Sequence, residues 1–297
     1  MKILYIIGNG FDLWHGLPTK YADFYVFAAS YLDELEEYFL DPRSETSWNN
    51  FEENLGRFDW REFYDSNNFP DISDESFKPS MVFGLEDDLT EQASGIVDSM
   101  KSHFQEWIES LPIDDAEAKF DFTLRGRFIS FNYTPLLQTV YEIPDNLVFH
   151  IHGSVSKYED LILGHGESRE EEPELDENGD SNRHLFTDAE SAAKYPFYAF
   201  QKPVDDILNR YSSYFESLNT VEVVVIIGHS LNAIDLPYIR KISGVAPGSK
   251  WVVSQRSEGE GKHHITQLEK CGVTSDKITL CSIEDISTML ETMNCAD

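Results

Sequence analysis

The chain has 297 residues, 41% of them hydrophobic and 13% aromatic, enough apolar surface to offset the entropy of ordering a globular core. Its 54 acidic against 23 basic residues give a formal net charge of -31, which repels a phosphate backbone and excludes a nonspecific electrostatic grip on duplex nucleic acid or an anionic membrane. The only cysteines, Cys271, Cys281 and Cys295, form no C-x-x-C pair, so neither a disulfide framework nor a four-cysteine zinc site can be written, and a reducing, cytoplasmic compartment is expected.

Residues Met1 to Gly8 hold an apolar run too short for a signal sequence, and it stops at Gly-Asn-Gly instead of a small-residue cleavage site. Ile3 to Ile7 is read as a buried parallel strand, and no run elsewhere is long enough to span a bilayer. After the glycine loop, Thr19 is placed to cap a helix whose Phe24, Phe27, Ala28, Tyr31 and Leu35 recur at helical spacing. Helices over Trp48 to Phe58 and Leu85 to Leu111, separated by a polar stretch with Pro70 and Pro79, predict a helical lobe inserted over residues 40–125.

The sheet resumes at Arg127 to Phe131, followed by a helix from Pro135 to Tyr141 and a strand at Leu147 to Ile151. Glu167 to Asp180 is an acidic run with almost no apolar residue and reads as a solvated loop. A helix from Val204 to Leu218 leads into the strand Val221 to Ile227. Strands at Lys250 to Ser254 and Lys277 to Leu280 then alternate with helices near Gly261 to Cys271 and Ile283 to Met293. This alternation predicts one α/β domain over residues 1–297, a Rossmann-like, doubly wound parallel sheet carrying the lobe.

Four polar clusters follow predicted strands, at the edge where parallel sheets bind ligands. In Gly8-Asn9-Gly10-Phe11-Asp12 the glycines permit either close approach to a phosphate or merely a tight turn. Asn132, in Ser130-Phe131-Asn132-Tyr133-Thr134, either offers its amide to ribose hydroxyls and water or caps the next helix. In His150-Ile151-His152-Gly153, strand alternation puts both histidines on one side. A metal pair is conceivable, but no nearby cysteine or carboxylate completes it, so no metal is predicted; His165 is a weaker candidate. Gly228-His229-Ser230-Leu231-Asn232 reads as an incomplete nucleophile elbow around Ser230, or as phosphate and ribose contacts at a helix start, with Asp235 close behind.

In order along the chain, these motifs resemble the AbiH-type phage abortive-infection family and, more distantly, sirtuin-like NAD-binding proteins. The resemblance rests on Ile6-Ile7-Gly8-Asn9-Gly10-Phe11-Asp12-Leu13, His15-Gly16-Leu17-Pro18 with Tyr21 and Phe24, and Trp48 with Phe51-Glu52. It continues through Phe131-Asn132-Tyr133-Thr134, His150-Ile151-His152-Gly153, Phe200-Gln201-Lys202 and Gly228-His229-Ser230-Leu231 to Asp235-Leu236-Pro237-Tyr238. The sirtuin likeness implies Asn132 and His152 as a catalytic pair, with Asp235 orienting the histidine or capping a helix. It further implies Gly8, Asn9, Gly10, Phe11, Asp12, Gly228, His229 and Ser230 around NAD. The zinc-binding cysteines of protein deacylases are missing, so the resemblance implies NAD glycohydrolysis in antiphage defence; Glu52 is a further candidate. The expected partners are a nucleotide ligand and either a second copy of the chain or another defence protein. The alternatives are a nucleotide-sensing or protein-binding module without turnover and a Ser230-dependent hydrolase.

Overall fold

The computed structural model describes residues 2–39, 48, 50–68, 73, 75–122, 126–157, 160–170, 173 and 175–294. Met1, Leu40, Pro70, residue 125 and Cys295, named above, lie outside the described residues. The chain divides into two compact units, one of Met1–Lys20, Ile108–Leu161 and Pro203–Asp297, the other of Tyr21–Trp107 and Ile162–Lys202.

The first unit holds β1 (Ile3–Ile7), β2 (Arg127–Ser130), β3 (Val148–His150), β4 (Val223–Ile227), β5 (Lys250–Ser254) and β6 (Ile278–Cys281). They form one parallel sheet in the order β3-β2-β1-β4-β5-β6, the strand order of Rossmann-like folds. Continuous apolar runs belong to strands covered on both faces, and the central pair bears this out: every residue of β1 and β4 is at most 2% exposed. The edge strand β6 is half-buried throughout. The order in which successive strands are added reverses between β1 and β4, the position at which open α/β sheets hold their ligands. No helix among the described residues is long and apolar enough to cross a membrane.

The second unit is helical. Phe24, Phe51, Phe104 and Trp107 interlock in its core, with Phe24 4.9 Å from Phe51 and 5.2 Å from Phe104 by ring centroid. Several boundaries differ from the sequence expectation for local reasons. The helix expected over Trp48 to Phe58 contracts to Phe51–Leu55 and closes at Gly56. The long helix starts at Ser80 instead of Leu85 and ends at Glu109. The helix expected from Val204 to Leu218 breaks at Tyr211, whose φ of -104° and ψ of 22° leave the helical basin. Ser257 accepts a hydrogen bond from the Glu260 amide and starts the next helix at Glu258, three residues before the expected Gly261. Thr19 does not cap: its Oγ1 is buried without a hydrogen-bond partner among the described residues, and that helix begins at Tyr21.

Candidate functional site

The register of the sheet brings the polar clusters together. Ile7 pairs with Ser130 on one side and with Ile227 on the other, and Ser130 pairs with His150. Two residues past that common row, the four chains carry Asn9, Asn132, His152 and His229 at the carboxyl edge of the sheet. β3 ends at His150, so His152 sits in the turn beyond it and the expected strand alternation does not reach that residue.

The β1 loop is fixed by backbone packing. Gly10 donates its N–H to the Gly228 carbonyl at 2.8 Å, and Phe11 N–H donates to Gly8 O at 2.9 Å, starting the short helix Asn9–Trp14 that the sequence concealed as a loop. A Cβ on Gly8 would lie 2.5 Å from His229 Cα, and one on Gly10 2.7 Å from Gly228 Cα. Gly228 itself has φ of +65°, and Leu231, fully buried, has φ of +53°. The three glycines thus serve the contact between the two loops, leaving Asn9 and Ser230 exposed at their outer lips. Asn9 donates from Nδ2 to Thr19 O at 2.7 Å.

Inside the loop, Asp12 is 1% exposed. Asn132 Nδ2 donates to its Oδ1 at 2.8 Å and Thr134 Oγ1 to its Oδ2 at 2.6 Å. Burial, only partly countered by the hydrogen bonds from Thr134 and Asn132, pushes the Asp12 carboxyl up to about 7. Asn132 Nδ2 also reaches Gly8 O at 3.2 Å, whereas its Oδ1 is buried with no hydrogen-bond partner among the described residues. Asn132 therefore caps no helix. Its donor side is anchored and its acceptor is held in reserve.

Asp235 stands between two imidazoles. Its Oδ2 is 3.5 Å from His229 Nε2, and its Oδ1 is 4.0 Å from His152 Nε2, contacts of ion-pair range instead of tight hydrogen bonds. Although Asp235 occupies the cap position of helix Leu236–Val245, its side chain makes no capping hydrogen bond. The Leu231 amide donates to His229 Nδ1 at 2.9 Å, so the ring proton of neutral His229 resides on Nε2, facing the carboxylate. That tautomer has no lone pair on Nε2 to give a cation, and no group of histidine, cysteine and carboxylate among the described residues is disposed to hold a metal. Aromatic rings enclose the group. Phe131 lies 4.2 Å from His229 and 5.5 Å from His152, and Tyr238 6.2 Å from His152, by centroid. Burial, then the charges of Asp235 and Asp205, raises the Tyr238 phenol above its ordinary value.

The other named residues lie elsewhere. His150 donates from Nδ1 to Asn132 O at 3.0 Å and receives Gln138 Nε2 at 2.9 Å, so it braces the β2 loop. His165, in the second unit, donates to Phe197 O and accepts from Glu167 N, with burial lowering its pKa. Glu52, also in the second unit, pairs with the buried Lys202 at 2.8 Å. Ser230 makes no hydrogen bond to a histidine among the described residues, and the positive-φ residues of its loop are Gly228 and Leu231, not Ser230 itself.

A profile for bacteriophage abortive infection AbiH matches residues 4–255. The chain belongs to the AbiH family. Comparison with curated proteins gives no match. The AbiH match runs from β1 to just past β5 and so includes every residue of the site, from Gly8 to Asp235, leaving β6 and the last helix outside. AbiH membership supports a role in phage abortive infection.

Sequence reasoning assigned no role to Phe131, Tyr133, Thr134 or Tyr238, and it placed His229 with the nucleotide contacts instead of beside Asp235. The six-residue spacing from His229 to Asp235 carries no periodic signal, because a loop with two positive φ angles sets the geometry. For Tyr238 a signal did exist: it follows Asp235 by three residues on one helix, a spacing that puts both on one face.

Proposed function

We propose that this AbiH-family chain is an abortive-infection effector that hydrolyses the N-glycosidic bond of NAD or a related nucleotide. The observation carrying the reading is the His152–Asp235–His229 group at the carboxyl edge of the sheet, beside the β1–β4 reversal where Rossmann-like folds hold nucleotides. A sirtuin-like order of glycine loop, asparagine motif, His-Gly and Gly-x-Ser along the chain is further support.

Breaking the bond from the anomeric carbon to nicotinamide nitrogen develops positive charge on the ribose, so the site must fix the sugar and deprotonate the incoming water. Asn132 Oδ1, a buried acceptor with its amide nitrogen tied to Asp12 and Gly8, suits a ribose hydroxyl. His152 takes the water proton as oxygen bonds to the anomeric carbon, while the departing nitrogen keeps the electron pair and leaves as neutral nicotinamide. Asp235 stabilises the imidazolium that forms. Asn9 and Ser230, on the outer lips of the glycine loops, are placed to meet the rest of the nucleotide.

The test is NAD measured by mass spectrometry in phage-infected cells carrying the chain. Wild type should deplete NAD and release nicotinamide, with His152→Ala and Asp235→Asn lowering the rate by about 10²- to 10⁴-fold while keeping native circular dichroism. NAD held constant in infected cultures that the wild-type chain protects would overturn the reading, as would equal depletion by both variants.

A further inference from the structure

The second unit contains a cleft of about 840 Å³, and among the described residues its lining reverses the charge of the molecule. The chain as a whole carries 54 acidic to 23 basic residues. The cleft instead gathers Arg57, Arg61, Arg169, Arg183, His184 and Lys194 against the carboxylates Asp59, Glu170 and Glu190. Two of those carboxylates are already engaged: Asp59 accepts the amides of Arg61 and Glu62, and Glu190 lies 3.5 Å from His184 Nε2. Arg57 and Arg183 also have acidic partners, Glu53 and Asp188.

The remaining cations, Arg61, Arg169 and Lys194, form no ion pair among the described residues, although the charge of Asp59 acts on Arg169. Arg61 and Lys194 both rest on the Trp60 ring, with the guanidinium carbon 5.0 Å and the ammonium nitrogen 4.5 Å from its centroid. Helices Trp60–Asn67 and Thr187–Ala199 pack together and hold these two side chains on facing walls. Arg169 lies over the Phe197 ring at 3.9 Å and donates from Nη2 to Phe58 O, and its Nη1 is buried with no hydrogen-bond partner among the described residues. Stacking on aromatic rings fixes cations in place without neutralising them, and guanidinium forks match phosphate oxygens two at a time.

The geometry points to a binding site in this cleft for a compact, multiply phosphorylated small molecule of nucleoside triphosphate size. The volume falls within the range of small-molecule sites, roughly 300–1,000 Å³. Compactness follows from the charge of the chain. Screening at physiological salt confines each charge to about 8 Å, so an anion within the cleft meets its cations, whereas an extended polyanion would run over the acidic surface outside. The inference stands apart from the proposed hydrolysis, which uses residues of the first unit alone.

Calorimetry on the intact chain tests it with four probes: ATP, inorganic triphosphate, adenosine and a single-stranded oligonucleotide. ATP and triphosphate should each bind saturably at one site, more weakly as salt rises, and adenosine should not bind. Binding of ATP without triphosphate, or of adenosine alone, would overturn a phosphate-reading site, and tighter binding of the oligonucleotide than of either would overturn the compact ligand. The double variant Arg61→Gln/Lys194→Gln, at an exposed and a half-buried position, should weaken triphosphate binding by about tenfold or more. Arg169→Lys, which keeps the charge and loses the fork, should weaken it by a smaller factor, while Lys241→Gln/Lys250→Gln outside the cleft should not. Unchanged affinity in the Arg61→Gln/Lys194→Gln chain with an unchanged melting temperature refutes the site.

Discussion

In the sheet unit the candidate site groups are buried and answer to each other: Asp12, Asn132, His152, His229 and Asp235 are all under 9% exposed and are carried by the segments that follow β1, β2, β3 and β4. In the helical unit Arg61, Arg169 and Lys194 of the cleft sit on aromatic rings and line open space. The same ionic chemistry therefore responds to different variables. Burial couples Asp12 in the first group to proton concentration, because desolvation acts on charge state; partial exposure couples the second group to salt, because screening acts on charges that stay fixed.

The largest effect expected is on the backbone contacts that assemble each region. Gly8→Ala would drive a methyl against His229 Cα, and Gly164→Ala, in the second unit, would drive one into the Phe200 carbonyl at a φ of +145°. Neither neighbour is a side chain that can swing away, so each substitution should cost more than about 4 kcal/mol in urea unfolding, or prevent folding. A loss under about 1 kcal/mol at either position would show that the loop can reseat and that the region is not held by that approach.

Next in size is the proton linkage that separates the regions. The folded chain holds the Asp12 carboxyl at about 7 against an ordinary 3.8. Below pH 4 both folded and unfolded chains are protonated there, and the residue has no influence on the slope. Between 4 and 7 the unfolded chain releases a proton that the folded chain keeps, so stability contributed by this position falls as pH rises, by up to about 4 kcal/mol, and stays low above 7. Asp12→Asn keeps the shape and removes the titration. Urea midpoints at pH 5.2 and 7.5 should therefore converge in the variant relative to wild type, and identical pH dependence in both chains would mean that Asp12 is ionised in the fold.

Helix caps give a smaller effect that should be equal in the two units. Asp59 accepts amide hydrogen bonds at 3.0 and 3.2 Å in the helical unit, and Ser257 accepts one at 3.3 Å in the sheet unit. Replacement of either by alanine should cost about 1 kcal/mol in urea unfolding, and a much larger loss for Asp59→Ala would reveal a role in holding the cleft.

The sequence disclosed these regions unequally. β1, β4 and β5 were legible because a strand covered on both faces must be apolar throughout, and their ends marked where polar residues would collect. The helix Asn9–Trp14 was hidden, since Gly-Asn-Gly carries turn propensity that only the contact with Gly228 overrides. The helix Thr187–Ala199 was hidden by Pro196 and by short alanine and serine side chains that leave little periodicity. The cleft was illegible for a deeper reason. Residues 57–61 and 169–198 meet only in three dimensions, and Arg169 is embedded in an acidic run whose average charge says solvated loop.

The smallest expected effect is the most discriminating for the buried site. Tyr238 Oη has no hydrogen-bond partner among the described residues, although its ring packs against Phe131, His152 and Phe215. Tyr238→Phe preserves that packing and deletes a hydroxyl desolvated without compensation, so stability should be unchanged or rise by up to about 1 kcal/mol. A hydroxyl kept at such a place with no structural return is explained if it meets a ligand. On the proposed hydrolysis, nicotinamide release should then fall in the variant while its urea midpoint holds or rises. If release and midpoint both stay at the wild-type value, the phenol takes no part in the reaction, and catalysis would narrow to Asn132, His152 and Asp235.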